Sequence, residues 1–210
     1  MQIVSIVLAA GKGSRMKSSL PKVLHKIGGA PLIWFPLNLS AQLKCHKTIV
    51  VTNSDDFEIR SVAEQLSNQV KYVKQICQNG TATAVLSAEK QLANYNGKLL
   101  ILFGDVPFLS LKTITKLLNF DNDKKRLKLL AFNSKNPKNY GRLIIDSNNF
   151  VERVVEEKDA SNNEKKISLC NSGVLAGDSK TIFNLTKKVN NNNAAKEFYL
   201  TDIVTLARQN

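Results

Sequence analysis

The stretch Ile3-Val-Ser-Ile-Val-Leu-Ala-Ala-Gly-Lys-Gly-Ser-Arg-Met16 decides how the chain is read. Five of its first six residues are apolar, rich in β-branched side chains and closed by small residues, which predicts a buried strand. Where the strand ends, Leu8, Ala9, Ala10, Gly11 and Gly13 form a loop with little side-chain bulk. Such a loop lets backbone N–H groups approach phosphate oxygens closely. Lys12 and Arg15 bring cations to the same place, and Leu20-Pro-Lys22 adds a third. Arginine can grip a phosphate through two parallel hydrogen bonds. The spacing is neither that of a Walker A loop nor that of the dinucleotide fingerprint.

Working outward, strands are predicted at Lys47–Thr52, Val70–Ile76 and Lys98–Phe103, the last apolar throughout. Helices are predicted between them: around Leu32 to Leu43 with Pro36 in the first turn, from Asp55 to Leu66, and from Thr81 to Leu92. In the second, Ile59, Val62, Ala63 and Leu66 make an apolar stripe, and Asp55 or Asp56 can cap its start. Leu111, Ile114, Leu117 and Leu118 mark a fourth helix. Strict β-α alternation predicts an α/β fold, a parallel sheet covered by helices, with ligands at the carboxyl ends of its strands. The second half differs. Arg126 to Phe132, Gly141 to Asp146, Phe150 to Glu156 and Ile167 to Ala176 read as strands, and helices follow around Ile182 and Leu200. This predicts a single domain over residues 1–210, with a nucleotide lobe at 1–120 and a smaller, strand-containing substrate lobe at 121–210.

Composition narrows the partners. The net charge of +13 favours polyanions such as nucleotides, phosphosugars or nucleic acid. Its basic run Asp123-Lys-Lys-Arg-Leu-Lys128 reads best as a solvated loop, and the tract Asn190–Asn193 points to a compositional bias, so charge alone does not argue for nucleic acid. No apolar stretch is long enough to span a membrane. The N-terminus lacks the basic region and cleavage site of a signal peptide. Three widely spaced cysteines, Cys45, Cys77 and Cys170, predict unpaired thiols in a reducing, cytoplasmic setting.

Two further motifs follow strands. Gln75-Ile-Cys-Gln-Asn-Gly-Thr-Ala-Thr-Ala84 carries an amide and small residues that could read a pyrimidine edge; locally, Asn79-Gly80 reads as a turn and Thr81 as a helix cap. Gly104-Asp105 ends an apolar strand, where an aspartate suits either Mg²⁺ or the capping of a loop. Two isolated histidines, His25 and His46, have no nucleophile signature beside them.

The ordered set of motifs resembles the sugar nucleotidyltransferases. Leu8 to Ile27, Gln75 to Ala84, Phe103-Gly-Asp-Val-Pro107, Tyr140-Gly-Arg142, Val155 to Ala160, Asn171-Ser-Gly173 and Asn191 to Ile203 follow the pattern of their N-acetylglucosamine-1-phosphate uridylyltransferase domains in collinear order. The resemblance implies a Rossmann-like, nucleotide-diphospho-sugar transferase fold and the joining of UTP to N-acetylglucosamine-1-phosphate, giving UDP-N-acetylglucosamine and pyrophosphate, for cell-envelope polysaccharides. It implies Arg15 and Lys22 as catalytic cations and Asp105 as a Mg²⁺ ligand. Leu8, Ala9, Ala10, Gly11, Gly13, Gln75, Gly80, Thr81 and Gly104 would bind the nucleotide. Gly141, Glu156, Asn171, Tyr199 and Thr201 would bind the sugar, although singly Gly141 reads as a turn, Glu156 as a solvent-facing strand residue and Tyr199 as core.

The chain departs from the family pattern in places. Ala82 and Thr83 replace a usual Gly-His pair. The sequence stops at Asn210, before the family's second metal-binding asparagine and its β-helix acetyltransferase domain. Neither acetyl transfer nor a β-helix trimer is expected, and a related enzyme for another phosphosugar or nucleotide, or a nucleotide-sugar-binding protein without turnover, stands as the alternative.

Overall fold

The computed structural model describes residues 2–11, 13, 16–53, 57–66, 69–119 and 127–209. Strand β1 (Ile3–Leu8) lies between two parallel neighbours, β4 (Lys47–Thr52) and β6 (Lys98–Phe103), and β5 (Val70–Lys74) extends the sheet beyond β4. On the other side β10 (Leu169–Asp178) runs antiparallel to β6, and pairs in turn with β7 (Lys128–Asn133) and β8 (Arg142–Ile145); β9 (Val151–Val155) closes the order. The result is a mostly parallel sheet between helices, as the alternation predicts, and the Rossmann-like fold that the family resemblance implies.

The continuous apolar runs are explained by burial on both faces. Side chains alternate across a strand, so Val4, Ile6, Leu99 and Ile101 join one core with Val85, Ile182 and Ile203. Val7, Leu100 and Leu102 join the opposite core with Ile33, Leu37, Ile59 and Ile114. The first core draws on α3 (Thr81–Ser87), α5 (Ser179–Thr186) and α6 (Asp202–Arg208); the second draws on α1 (Trp34–Gln42), α2 (Phe57–Glu64) and α4 (Leu111–Leu118). Ser110 caps α4 by accepting from Thr113 N at 3.1 Å, and Asp178 caps α5 by accepting from Thr181 N at 3.0 Å. The expected cap at Asp55 or Asp56 lies outside the described residues, as does Arg126.

Three details differ from the sequence reading. The helix predicted over Thr81 to Leu92 stops at Ser87 and tightens into a 3₁₀ turn at Glu89–Leu92, where Gln91 N reaches back only to Ala88 O. Gly28-Gly29, both at positive φ, turn a short hairpin of β2 (Lys26–Ile27) and β3 (Ala30–Pro31) that a Gly-Gly signal could have revealed. The third is β10, which serves both halves of the chain: Leu175–Asp178 pair with β6, while Cys170 pairs with Arg142. A register shift between Asn171 and Leu175 separates the two pairings, and Gly173 (φ +86°) lies there with its Cα against the Phe103 ring; an added Cβ would sit 2.9 Å from Cδ2. β10 thus opens at the carboxyl end of β6, where the site forms.

Candidate active site

The loop after β1 is folded by its glycines. Gly13 (φ +58°) leaves no room for a side chain, since a Cβ would lie 2.7 Å from Lys22 Cβ. The loop therefore packs directly on the residue that carries the cation. Gly104 plays a matching part at the end of β6: its N–H donates to Leu8 O at 2.8 Å, and a Cβ would press on Val23 at 2.9 Å. Gly104 is absent from the linings of the site's two cavities; its close approach seats the Asp105 turn beside β1. Leu8, Ala9, Ala10, Gly11, Gly13 and Lys22 line a cavity of about 550 Å³, with Gln75, Gly80, Thr81 and Asp105 on the remaining wall.

Gln75, nearly fully buried, organises that far wall. Its Nε2 faces Cys77 O at 3.0 Å, Gly80 O at 3.1 Å and Thr83 Oγ1 at 2.9 Å. The Thr83 hydroxyl donates to Gly80 O at 2.9 Å. Thr83 thus shapes the loop from a position where the sequence departs from the family pattern. Gly80 has φ +139°, and a Cβ on it would stand 2.3 Å from Phe198 O. The empty space lets residues near Phe198 lie on the loop as a strap: Phe198 N donates to Asn79 O at 2.8 Å and Ala82 N to Phe198 O at 3.0 Å. Thr81 makes no side-chain cap on its own helix, as a local reading would have it. Its Oγ1 accepts from Leu200 N at 2.9 Å, fixing the strap's far end.

A second cavity of about 890 Å³ adjoins the first. Lys22, Thr81, Phe103, Asp105 and Glu197 line both. At this seam Lys22 Nζ contacts Asp105 Oδ2 at 2.5 Å, with the side chains 41% and 27% exposed. An ion pair this open adds little stability, so either partner can turn to a ligand at small cost. Arg15 lies outside the described residues, as does Lys12.

Gly141, Glu156, Asn171, Tyr199 and Thr201 all line the second cavity. Gly141 lets the Glu156 carboxylate lie close, since a Cβ there would be 3.2 Å from Oε2. Asn171 N donates to Gly141 O at 2.8 Å, and Asn171 Oδ1 accepts from Gly173 N at 3.1 Å. Glu156 Oε1 accepts from Thr201 Oγ1 at 3.0 Å. Burial raises the Glu156 pKa above the ordinary carboxylate range; the Thr201 bond opposes this, and Asp202, Asp159 and Glu197 reinforce it. Burial pushes the Tyr199 hydroxyl up to about 12, with Asp159, Glu156, Glu197 and Asp202 adding to the effect. In a chain of net charge +13, this wall is locally acidic, which suits a hydroxyl-rich ligand better than a second polyanion.

Sequence reasoning missed Glu197 as a wall of both cavities and Gln78 as a wall of the first. Both sit inside motifs read for their neighbours, and no local signal distinguished them. The three cysteines are free, with Cys77 exposed, Cys45 half-buried and Cys170 buried. Among the described residues no helix is long and apolar enough to cross a membrane.

Residues 5–139 match the MobA-like NTP transferase domain. Over nearly its whole length the chain is similar to the Bifunctional protein GlmU of Zymomonas mobilis subsp. mobilis, 42% identical over 205 residues, covering 97% of this chain and 46% of that protein. It is likewise similar to the Bifunctional protein GlmU of Bartonella bacilliformis, 41% identical over 208 residues, 99% of this chain and 46% of that one. The chain thus spans about half the length of these curated relatives. Among solved structures, UDP-glucose pyrophosphorylase complexed with UDP-glucose superposes with a TM-score of 0.75 at 19% identity, covering 100% of this chain and 88% of the other. A putative glucose-1-phosphate thymidylyltransferase from Bacillus anthracis gives 0.79 at 21% identity, covering 99% and 83%. At such identities the likeness is one of fold.

Proposed function

The chain belongs to the MobA-like NTP transferase family, and from that premise we propose that it transfers UMP from UTP to N-acetylglucosamine-1-phosphate. The sugar-phosphate oxygen attacks the α-phosphorus in line. One P–O bond forms to it, the bond to the bridging oxygen of the β-phosphate breaks, and pyrophosphate leaves. A sugar phosphate is already anionic at neutral pH, so no base is required. The GlmU relatives and the collinear motifs support this choice of substrates, and the product would feed cell-envelope polysaccharide synthesis.

The observation that carries the reading is the Lys22–Asp105 pair on the seam of two adjoining cavities. Residues 1–120 supply the small-residue loop, the Gln75 wall and the pair itself. Residues 121–210 supply the acidic, hydroxyl-matching wall, so a nucleoside triphosphate and a sugar phosphate would meet with their phosphates at Lys22. Its ammonium would neutralise charge at the α-phosphate and on the departing pyrophosphate, with Arg15 assigned the same task. Gln75 holds the Gly80–Thr81 loop for the base, and Glu156 and Asn171 orient the sugar.

Mg²⁺ fits this site in one respect that the structure allows to be tested. Asp105 presents a partly exposed carboxylate to both cavities, and the described residues contain no cluster of three or more metal-ligating side chains. Magnesium commonly binds through one or two carboxylates, with phosphates and water completing its shell. Asp105 would hold it, and the ion would supply charge neutralisation on the phosphates.

The test is Mg²⁺-dependent pyrophosphate release from UTP and N-acetylglucosamine-1-phosphate, with Asp105→Ala as control. Release that the substitution abolishes is the expected result. Binding of UDP-N-acetylglucosamine without release would instead make the chain a nucleotide-sugar-binding protein. A stronger rate with another phosphosugar or nucleotide would reassign the substrate.

A further inference from the structure

Behind the sugar-side wall lies an arginine that touches neither cavity. Arg142 is the largest fully buried side chain in the described structure, with its side chain 1% exposed. Its Nη2 pairs with Glu157 Oε2 at 2.6 Å, and its Nη1 donates to Tyr140 O. Lys165 O accepts from Nη2 at 3.4 Å, while the buried Nε has no partner among the described residues. The same Glu157 oxygen accepts from Asn139 N at 3.2 Å. Arg142 and Asn139 together hold the Glu157 carboxyl below its ordinary range, the Arg142 hydrogen bond being the larger cause.

The network clamps the wall from behind. Asn139, Tyr140, Gly141 and Glu156 line the cavity. Glu157 fixes the N–H of the first, Arg142 the carbonyl of the second, and Glu157 is the chain neighbour of the fourth. Gly141 in turn holds Asn171 through its carbonyl. Burying one member of an ion pair, as Arg142 is buried while Glu157 keeps 28% of its side chain exposed, is an inefficient source of stability, and apolar residues of similar size often do as well. Its incomplete satisfaction at Nε makes it a still poorer one. A planar fork that reaches a carboxylate and a carbonyl at once is, by contrast, an effective way to fix two chain segments.

We infer that Arg142 and Glu157 are positioning residues: the pair holds the 139–141 turn and the end of β9 in the register that seats the sugar ring. This rests on the substrate-side assignment of the preceding subsection. Removing one partner would strand a buried charge, so the informative variant is the double substitution Arg142→Met with Glu157→Gln, which leaves no unpaired charge. It is compared with wild type and with Glu157→Gln alone, using thermal unfolding, KM for each substrate, kcat, and calorimetric binding of UTP and UDP-N-acetylglucosamine. The double variant is expected to stay folded. KM for the sugar phosphate and Kd for the nucleotide sugar should rise about tenfold or more, with KM for UTP and kcat held within about twofold; Glu157→Gln should fall between. A purely structural pair would leave the sugar KM unchanged in a stably folded double variant. A parallel rise in both KM values would equally overturn the inference. Wild type is first assayed with several hexose-1-phosphates. If another sugar replaces N-acetylglucosamine, the substrate reading fails and the pair is judged on that sugar by the same criteria. If no sugar phosphate reacts and no nucleotide sugar binds, both fail.

Discussion

Gly80→Ala tests how the Gly80 loop and the strap over it are joined. Gly80 has φ +139° and ψ 171°, a region reserved for glycine in which other residues cost about 1–3 kcal/mol. The added Cβ would also stand 2.3, 2.5 and 2.8 Å from Phe198 O, N and C, all backbone atoms that no rotamer change can move aside. Relief requires the strap to lift, which breaks the bonds from Phe198 N to Asn79 O and from Ala82 N to Phe198 O. Each contributes about 0.5–1.5 kcal/mol. A combined loss of about 4 kcal/mol corresponds to a Tm lowered by roughly 8–16 °C in a domain of this size. The strap carries Glu197 and Tyr199, so the KM values for both substrates should rise with it. Differential scanning calorimetry beside Gly11→Ala gives the contrast, because among the described residues nothing lies within 4 Å of a Cβ at Gly11. That control should unfold within about 2 °C of wild type. A Gly80→Ala protein with wild-type Tm and wild-type KM values, or with no greater loss than the Gly11→Ala control, would refute the reasoning.

Lys22→Ala should lower kcat by about 10²–10³, the usual scale for loss of one charge-stabilising donor. Its Tm should move by no more than about 2–4 °C, because the pair with Asp105 is open to solvent in part; steady-state kinetics and unfolding on one preparation check both. Thr83→Val removes one of three acceptors around Gln75 Nε2 and one donor to Gly80 O, and a loss of about 1 kcal/mol should raise KM for UTP roughly fivefold while sparing the sugar phosphate. Glu156 has a raised pKa in the fold, so it favours folding while protonated and its contribution fades as pH climbs from its ordinary 4.5 through the raised value. Glu156→Gln does not titrate, so its Tm relative to wild type should increase across that window and level off above it; a pH-independent difference would sink the assignment. Glu164, whose carboxyl is held down to about 2 by Ser161 first and then Arg153, behaves oppositely. It stabilises the fold above 4.5, and Glu164→Gln should lose stability at neutral pH and none near pH 2.

The parallel half of the fold was legible because burial on both faces leaves a plain mark in sequence. Leu99, Leu100, Ile101 and Leu102 are consecutive, apolar and fully buried, and only a strand between two helix layers needs that. Helix stripes such as Ile114 with Leu118 were legible for the same reason. β10 was harder, since its ten residues pair antiparallel with three strands, β6, β7 and β8, with a register shift along β7, and no periodicity announces where a strand changes partners. The site divides along the same line. Residues that act through their own backbone shape, such as Gly13 and Gly80, stand out because glycine at a strand end has few other uses. Residues that act through another residue's backbone do not. Thr83, Glu157 and Arg142 matter because of Gly80 O, Asn139 N and Tyr140 O, and sequence encodes no trace of which carbonyl or amide a side chain will reach. Arg142 shows this most plainly. In sequence it is one of 30 basic residues in a strongly cationic chain, and in the fold it is sealed behind the wall of the second cavity, where its charge recruits Glu157 rather than a polyanion.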